Sequence, residues 1–429
     1  MVRKLASFFP KSPIRCSFST VNETKPLSNI EIKGKSYSRD EWTNVTPKVL
    51  SYIGKNLHSQ PGHPLHLVKK RIVNYMYKTF VGRRGNPLFA VFDDLSPVVT
   101  VEQNFDSLLV PHDHPSRQKS DCYYINRSNL LRAHTTAHQS ELIGSGLNNF
   151  LIIGDVYRRD EIDSKHYPAF HQVDAVRICT PEEVFRHEGS MQAVFEKKSQ
   201  RTAAKQACHT LAATKHMEHE LKQTLEGLAE TLFGSGFQYR WVDTTFPFTH
   251  PSWELEVLRD DNWMEILGCG IMENEILESA GVKGRIGWAF GLGLERLAMC
   301  LYSIPDIRLF WSSDSGFLSQ FNVKDPDTQI KYKPISIYPQ CTNDISFWLP
   351  SDDSFTPNDF YDLVRTVGGD VIEQISLIDE FTHKKKGLKS HCYRIVYRHM
   401  GRTLTQKEVN EIHNSIARMA EEILGVTIR

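Results

Sequence analysis

Arg285-Ile286-Gly287-Trp288-Ala289-Phe290-Gly291-Leu292-Gly293-Leu294-Glu295-Arg296-Leu297-Ala298-Met299-Cys300 is the stretch that decides how this chain is read. Gly291 and Gly293 read as a small-residue turn that leads through Leu294-Glu295-Arg296 into an apolar helical run. Backbone can approach a ligand closely at glycine, which has no Cβ. Arg296 sets a permanent cation beside that approach. The pattern suits a nucleotide phosphate; the bland alternative is a buried helix start. It is not a dinucleotide fingerprint, because G-x-G-x-x-G needs glycine where Arg296 stands.

At 429 residues the chain is too long for one ordinary core, so two or three domains are expected. Its formal net charge is zero, which excludes a molecule that binds nucleic acid by overall charge; any basic surface must be local. No run of 18 apolar residues exists, so no membrane-spanning helix and no membrane partner are expected. Cys16, Cys122, Cys179, Cys208, Cys269, Cys300, Cys341 and Cys392 form no C-x-x-C pair. That argues against a zinc knuckle and a disulfide framework, and for a reducing compartment.

The first 20 residues carry Arg3, Lys4, Lys11 and Arg15 among serines, with no acid before Glu23. Such a segment reads as an organellar import sequence, with a disordered tail as the alternative. The expected organisation is a transit peptide over 1–20, an N-terminal extension over 21–60, a catalytic domain over 61–310, a linker over 311–334 and a C-terminal domain over 335–429.

Apolar spacing predicts a helix from Leu65 to Phe80, an extended run from Leu88 to Glu102 holding Pro97, and a helix over Leu130–Leu142. Asp40 or Thr43 would cap a short helix reaching Ile53. Leu151–Tyr157 and Pro168–Cys179 read as two strands joined by a polar loop, 181–233 as helical, and 237–243, 253–258 and 263–267 as strands. The fold class is α+β, with an antiparallel sheet in the middle of the chain. In the tail, the order is strand (335–338), helix from Pro357 to Gly368, strands 371–381 and 391–399, a helix opened by the capping box Thr405-Gln406-Lys407-Glu408, and a last strand 426–428. This β-α-β-β-α-β order is ferredoxin-like.

Val156-Tyr157-Arg158-Arg159-Asp160 ends the first strand of the middle hairpin, and Phe170-His171-Gln172 begins the second. Arginines at a strand end can clamp phosphate oxygens in bidentate fashion, against the alternative of a surface salt-bridge cluster. With the Arg296 segment they resemble motifs 2 and 3 of class II aminoacyl-tRNA synthetases, and Pro97 fits motif 1. Leu130-Leu131-Arg132-Ala133-His134-Thr135-Thr136-Ala137-His138-Gln139, Phe246-Pro247-Phe248-Thr249-His250-Pro251 and Gly268-Cys269-Gly270 narrow this. Over about residues 60 to 429 the chain resembles the phenylalanyl-tRNA synthetases in their single-chain mitochondrial form.

The resemblance implies a class II catalytic domain followed by a ferredoxin-fold anticodon-binding domain, and ligation of phenylalanine to tRNA(Phe) through an adenylate. ATP and Mg2+ would be the cofactors, the mitochondrial matrix the location and a monomer the assembly. Arg158 and Arg296 would be catalytic, with His134 at the reaction centre. Thr136, Ala137, His138, Gln139, Gln172, Val173, Asp174, Phe246, Phe248 and Ala289 would bind phenylalanine, the two rings meeting it edge-on over the small Ala289. Lys165, His166, Tyr167, Phe170, Glu265 and Phe290 would join the arginines around ATP, with Glu265 also the magnesium contact and Glu254 and Glu256 as other candidates. Lys384, Lys385, Lys386, Lys389 and Arg394 would meet the tRNA backbone, against the alternative of a solvated turn.

Three departures from the family stand out. Thr136 replaces the usual Ser and crowds the site by a methyl. Asp160 and Asp174 stand where Glu is common and reach one methylene less. Two histidines four apart, His134 and His138, have metal-ligand spacing but lack the zincin glutamate. His112-Asp113-His114, between two prolines, reads as a rigid turn. The rival readings are a ligase for another amino acid and a non-catalytic RNA-binding paralogue. The latter predicts loss of the nucleotide residues, yet Arg158, Phe170, Glu265 and Arg296 are all present.

Overall fold

The computed structural model describes residues 29–159, 165–186, 192–259, 261–334, 338–350, 355, 357–368, 371–383, 387–399 and 402–429. The expected transit peptide (1–20), Asp160 and Lys384 to Lys386 lie outside them.

The described chain opens with a hairpin, β1 (Ile30–Ile32) and β2 (Lys35–Tyr37), and a one-turn helix, α1 (Pro47–Leu50). Thr46 caps α1, and Pro47 fills its first position, where no N–H is needed. Asp40 and Thr43 do not cap it. They close a turn in which Thr43 Oγ1 accepts from the Asp40 N–H at 3.0 Å. The expected long helix is α2 (Pro64–Thr79), which buries Leu65, Val68, Ile72 and Met76. The extended run is two strands, β3 (Ala90–Phe92) and β4 (Val98–Thr100), and ends in the one-turn helix α3 (Val101–Asn104).

Two sequence expectations fail in the next segments. Leu130–Leu142 is not one helix. It is the end of strand β6 (Asn129–Leu131), a 3-10 turn over Thr135–His138 and α4 (Gln139–Gly144). With β5 (Tyr124–Asn126), β6 and β4 form a three-stranded sheet. Tertiary bonds override the helical pattern: Arg132 N–H donates to Pro97 O at 2.8 Å, and Arg132 O accepts from Tyr157 N–H at 2.9 Å. After β7 (Asn149–Tyr157) and β8 (Ala169–Cys179), the described residues of the run 181–233 are helical only at its ends, in α5 (Pro181–Val184) and α6 (Leu211–Phe233). Between them buried Gln206 spends its side chain on Met272 O at 2.8 Å and His250 O at 2.9 Å, which ties the chain down as a loop.

Strands β9 (Tyr239–Phe246), β10 (Thr249–Arg259) and β11 (Asn262–Met272) follow, then α7 (Asn274–Ser279), β12 (Ile286–Gly293) and α8 (Leu294–Tyr302). The central sheet has the order β3-β7-β8-β12-β11-β10-β9. All its pairs are antiparallel except β3 with β7 at one edge. Gly291 and Gly293 therefore lie in a strand, not in a turn. Gly291 stands opposite Asp174 and Gly293 opposite Gln172.

One face of this sheet is packed under α2, α6 and α8 around Trp288, Leu221, Leu225 and Leu297. Residues 311–334, expected as a linker, contain α9 (Ser315–Leu318) and send Phe317, Phe321 and Tyr332 into that core. The N-terminal extension packs Ile30, Ile32, Val49 and Tyr52 against Tyr123, Ile125 and Tyr157. The sheet's other face carries the site.

The tail runs β13 (Cys341–Trp348), α10 (Pro357–Gly368), β14 (Ile372–His383), β15 (Leu388–Tyr397), α11 (Gln406–Leu424) and β16 (Thr427–Ile428). Its sheet has the order β14-β15-β13-β16, entirely antiparallel, which is the ferredoxin-like arrangement. Its first described strand begins at Cys341, and the strand expected over 335–338 falls mostly on 335–337, which lie outside the described residues. Thr405 and Glu408 form the expected capping box, and α11 buries Val409, Ile416 and Ala420. Ile423, on the same stripe, is 62 % exposed in the last turn.

Candidate active site

The open face of the central sheet holds a cavity of about 690 Å³. Its floor exists because two adjacent strands, β11 and β12, carry almost no side chain there. Gly270 pairs with Ala289, and Gly268 with Gly291. A Cβ on Gly268 would lie 2.8 Å from Phe246 Cζ, and one on Gly291 would lie 2.7 Å from Asp174 Oδ1. The glycines thus let an aromatic ring and a carboxylate lie against the sheet. Phe246 and Phe248 form the wall, their rings 5.8 Å apart and inclined by only 3°. Phe248 sits in the loop between β9 and β10.

At the other end of the floor the cavity is polar. Successive strand residues alternate faces, so Phe170, Gln172 and Asp174 share one side of β8. The Thr136 hydroxyl donates to Asp174 Oδ2. Burial raises the Asp174 carboxyl to about 6, although Thr136, Thr135 and Arg158 pull the other way. His134 is driven down to about 3 by burial and the nearby Arg158 charge, so it is a neutral imidazole at physiological pH. His134 Nδ1 and Gln172 Oε1 are buried with no hydrogen-bond partner among the described residues, and both side chains border the cavity. Gln139 also borders it.

Arg158, just past β7, donates through Nε to Ala133 O at 2.8 Å, and its guanidinium lies 5.2 Å from the Phe170 ring centroid. Arg296, in the first turn of α8, pairs with Glu265 of β11 at 3.2 Å; both are about half exposed. Glu254 is raised by burial and by the charge of Glu265, so two carboxylates are close there.

The structure separates other expected site residues from the cavity. Ala137 packs with Phe105 and Val99. Val173 points into the core. The Phe290 ring lies beside Trp288 on the core side, 6.1 Å away, although the residue borders the cavity. His138 accepts from Arg132 Nη1 at 2.9 Å, which leaves no metal-binding pair with His134. Tyr167 stacks on Trp311 at 5.5 Å and shares a 2.8 Å hydrogen bond with the Tyr52 hydroxyl. Lys165 is exposed and His166 half-buried beside it. Among the described residues no group of three or more His, Cys, Asp or Glu could hold a metal ion.

Several supporting residues take roles that their linear motifs do not signal. Buried Arg132 donates to Asp155 Oδ1 and to Asp155 O, both at 2.7 Å, while the Tyr157 hydroxyl donates to Asp155 Oδ2. Gly154 makes room, since a Cβ there would lie 2.1 Å from Arg132 Nη2. His114 does hold a turn, its Nδ1 accepting from Ser116 N–H at 3.2 Å, yet it also lines the cavity with Ser116, Asp121 and Cys122. In the tail, exposed Arg394 is held by Asp344 through two 2.8 Å bonds, so its charge is already matched. Lys389 is exposed on β15.

Residues 52–205 and 175–321 match the family described as tRNA synthetases class II core domain (F), and residues 336–429 match the ferredoxin-fold anticodon binding domain. Fold and site together are those of a class II aminoacyl-tRNA synthetase. The chain is 59 % identical to the probable mitochondrial phenylalanine–tRNA ligase of Drosophila melanogaster, over 97 % of this chain and 96 % of that protein. It is 56 % identical to the mitochondrial phenylalanine–tRNA ligase of Mus musculus, over 94 % of this chain and 89 % of that one. Identity to the mitochondrial enzyme of Saccharomyces cerevisiae is 34 %, over 95 % and 96 %. The chain belongs to the mitochondrial phenylalanine–tRNA ligases.

Proposed function

We propose that the chain joins phenylalanine to tRNA(Phe) in the mitochondrial matrix, as a monomer, by way of a phenylalanyl-adenylate. The observation that carries this reading is the apolar slot between the Ala289–Gly268–Gly291 floor and the stacked Phe246 and Phe248, closed at one end by Asp174. It suits an aromatic side chain whose amino acid head carries a cation.

Phenylalanine would lie with its ring in that slot. Its ammonium would donate to Asp174 and to the unpartnered Gln172 Oε1. Adenine would stack on Phe170 with Arg296 on its outer side, which brings the α-phosphate toward Arg158. The carboxylate oxygen of phenylalanine attacks the α-phosphorus, the bond to the bridging oxygen breaks and pyrophosphate leaves. The 2′-hydroxyl of the terminal adenosine then attacks the adenylate carbonyl, and AMP leaves as the ester forms. The cavity walls bring the reactants together, which replaces a collision in water by a held pair. The fixed guanidinium of Arg158 offsets charge that grows at phosphorus. Neutral His134 beside Arg158 adds no competing positive charge.

Class II synthetases use ATP and generally Mg2+. Glu265, with Glu254 nearby, fits a cation here, because the proximity of the two carboxylates already disfavours ionisation of Glu254. The ion would hold the ATP phosphates and draw off their charge.

The domain boundaries fit this scheme: a transit peptide over 1–20, an extension over 21–60 and a catalytic domain over 61–310 whose core is completed by 311–334. The anticodon-binding domain covers 335–429. Lys384 to Lys386 and Lys389 contact the tRNA backbone, and Arg394 joins them by exchanging Asp344 for phosphate. Among the described residues no helix is long and apolar enough to cross a membrane. The test is aminoacylation of tRNA(Phe) with labelled phenylalanine. Ester that survives acid precipitation and is released by mild base supports the scheme; full-length protein that forms none refutes it.

A further inference from the structure

Three stretches far apart in sequence meet at one indole. Trp311 ends the 3-10 turn Ile307–Trp311. Tyr167 stacks on its ring with centroids 5.5 Å apart and planes inclined by 22°, and His171 does so at 5.8 Å and 26°. Tyr52 of the N-terminal extension packs on the same indole at 4.7 Å and on Tyr167 at 5.5 Å. The Tyr52 and Tyr167 hydroxyls share their 2.8 Å hydrogen bond, which closes the triangle. None of the four rings lines the cavity. Two of them nevertheless adjoin it along the chain. His171 lies between Phe170 and Gln172, turned to the opposite side of β8 by strand alternation. Tyr167 ends the loop that joins β7 to β8, next to Lys165 and His166. Pro168 confines the backbone of Tyr167 to extended shapes, so the last residues of the loop follow wherever that ring is held.

We propose that Trp311 and Tyr52 are positioning residues for adenylate formation: through Tyr167 they hold the returning limb of the β7–β8 loop, residues 165–168, at the nucleotide end of the cavity. This rests on the ligase reading and deepens it, because Tyr167 then serves ATP binding without touching ATP. Two features set the triangle apart from ordinary core. Phenylalanine in place of either tyrosine would fill nearly the same volume, yet a pair of hydroxyls is present. Their hydrogen bond is directional and fixes how the two rings meet, which apolar contact alone does not. Trp311 Nε1 is buried with no hydrogen-bond partner among the described residues. An unmet buried donor is destabilising, and a phenylalanine there would avoid it. The indole is therefore kept for its wide ring, which reaches both Tyr167 and His171. Through His171 the stack continues to Glu295 and the start of α8, so the loop end and the helix that carries Arg296 share one support.

The experiment measures KM for ATP and KM for phenylalanine in ATP–pyrophosphate exchange on the full chain, with Tm as the check on folding. Tyr52→Phe removes one hydroxyl and keeps the ring. It is expected to raise KM for ATP by roughly 2- to 10-fold, the range for one hydrogen bond, with KM for phenylalanine unchanged. Tyr167→Phe should match it, and the double variant should be no worse than either, since both remove the same bond. Trp311→Leu keeps an apolar side chain, loses both stacks and should raise KM for ATP as well; Trp311→Phe should restore most of that loss. Unchanged KM for ATP in Tyr52→Phe overturns the proposal, and so do equal changes in both KM values or additive losses in the double variant. A lower Tm with both KM values intact overturns it too, since that is what a purely structural triangle gives. If the wild type exchanges and the variants match it, only this inference falls. No phenylalanine-dependent exchange in the wild type brings down the ligase reading and this inference with it.

Discussion

The Glu295 carboxylate grips His171 twice, accepting its backbone N–H at 2.8 Å and meeting Nδ1 at 2.7 Å, with both side chains buried. Glu295 precedes Arg296, and His171 lies between Phe170 and Gln172. The bond therefore fixes the start of α8, which carries Arg296, against the strand that carries Phe170 and Gln172, the residues proposed to meet adenine and the amino group. Glu295→Ala leaves the His171 donors buried and unmet, at a cost of about 1–3 kcal/mol. Thermal denaturation should show a lower Tm, and steady-state exchange should show KM for ATP rising more than KM for phenylalanine. Equal changes in both KM values would remove Glu295 from the nucleotide side of the site.

Asp174 carries the next prediction. Its folded value, about 6, lies above the ordinary aspartate value of 3.8 because burial disfavours the charged form. Between those two pH values the folded state holds more protons than the unfolded state, so this group's contribution to stability falls as pH rises through the window. At pH 7 the penalty reaches roughly 3 kcal/mol at most. Asp174→Asn should therefore raise Tm at pH 7, with the gain shrinking toward pH 4. The same variant loses phenylalanine binding. In the wild type, KM for phenylalanine should climb as pH drops through 6, since the protonated carboxyl no longer offers a charge to the ammonium. A KM that stays flat from pH 7.5 to 5.5 would place the ammonium elsewhere.

Opposite changes at the pocket floor should move specificity in opposite directions. Gly268→Ala puts a Cβ against Phe246 Cζ, 2.8 Å away, and the ring must swing into the slot. KM for phenylalanine should rise roughly tenfold, within the ~1–3 kcal/mol of an overpacked contact. Ala289→Gly deepens the floor and should admit para-chlorophenylalanine. Exchange assays with both amino acids decide this; unchanged relative use of para-chlorophenylalanine rejects Ala289 as the floor.

Charge and catalysis should separate in the tail. Replacing Lys384, Lys385 and Lys386 by Ala should weaken tRNA binding and flatten its salt dependence. If each meets one phosphate of single-stranded loop, the log–log slope falls by about 2 in magnitude. Adenylate formation without tRNA should hardly change. Equal loss in both assays would indicate misfolding or a wrong placement.

The parts of this molecule legible in sequence are those where local pattern and tertiary structure agree. α2 and α11 follow their apolar stripes and caps, and β7 and β8 follow their hairpin, so the arginine at the end of one and the ring at the start of the other were in reach. Leu130–Leu142 misleads because Arg132 abandons the helical pattern to bury its guanidinium on Asp155. Gln206 does the same to the run before α6. Gly291 reads as a turn residue, but its role is to let Asp174 lie flat on β12, which depends on a residue far away in sequence. Ala137, Val173 and His138 fall inside a motif that faces the cavity, yet they point away from it. Motif membership does not show which side of a strand or turn a side chain takes. The wall formed by His114, Ser116, Asp121 and Cys122 is assembled by tertiary packing alone, and spacing carries no trace of it.

Amino-acid-dependent ATP–pyrophosphate exchange on protein lacking residues 1–20, run with each amino acid in turn, tests the central claim most directly. Strong exchange with phenylalanine and weak exchange with tyrosine is the predicted result, because an apolar pocket rejects one added hydroxyl by only about 100-fold. Exchange with a different amino acid alone would contradict the pocket formed by Phe246, Phe248 and Ala289. Folded, ATP-binding protein that exchanges with none would contradict the enzyme.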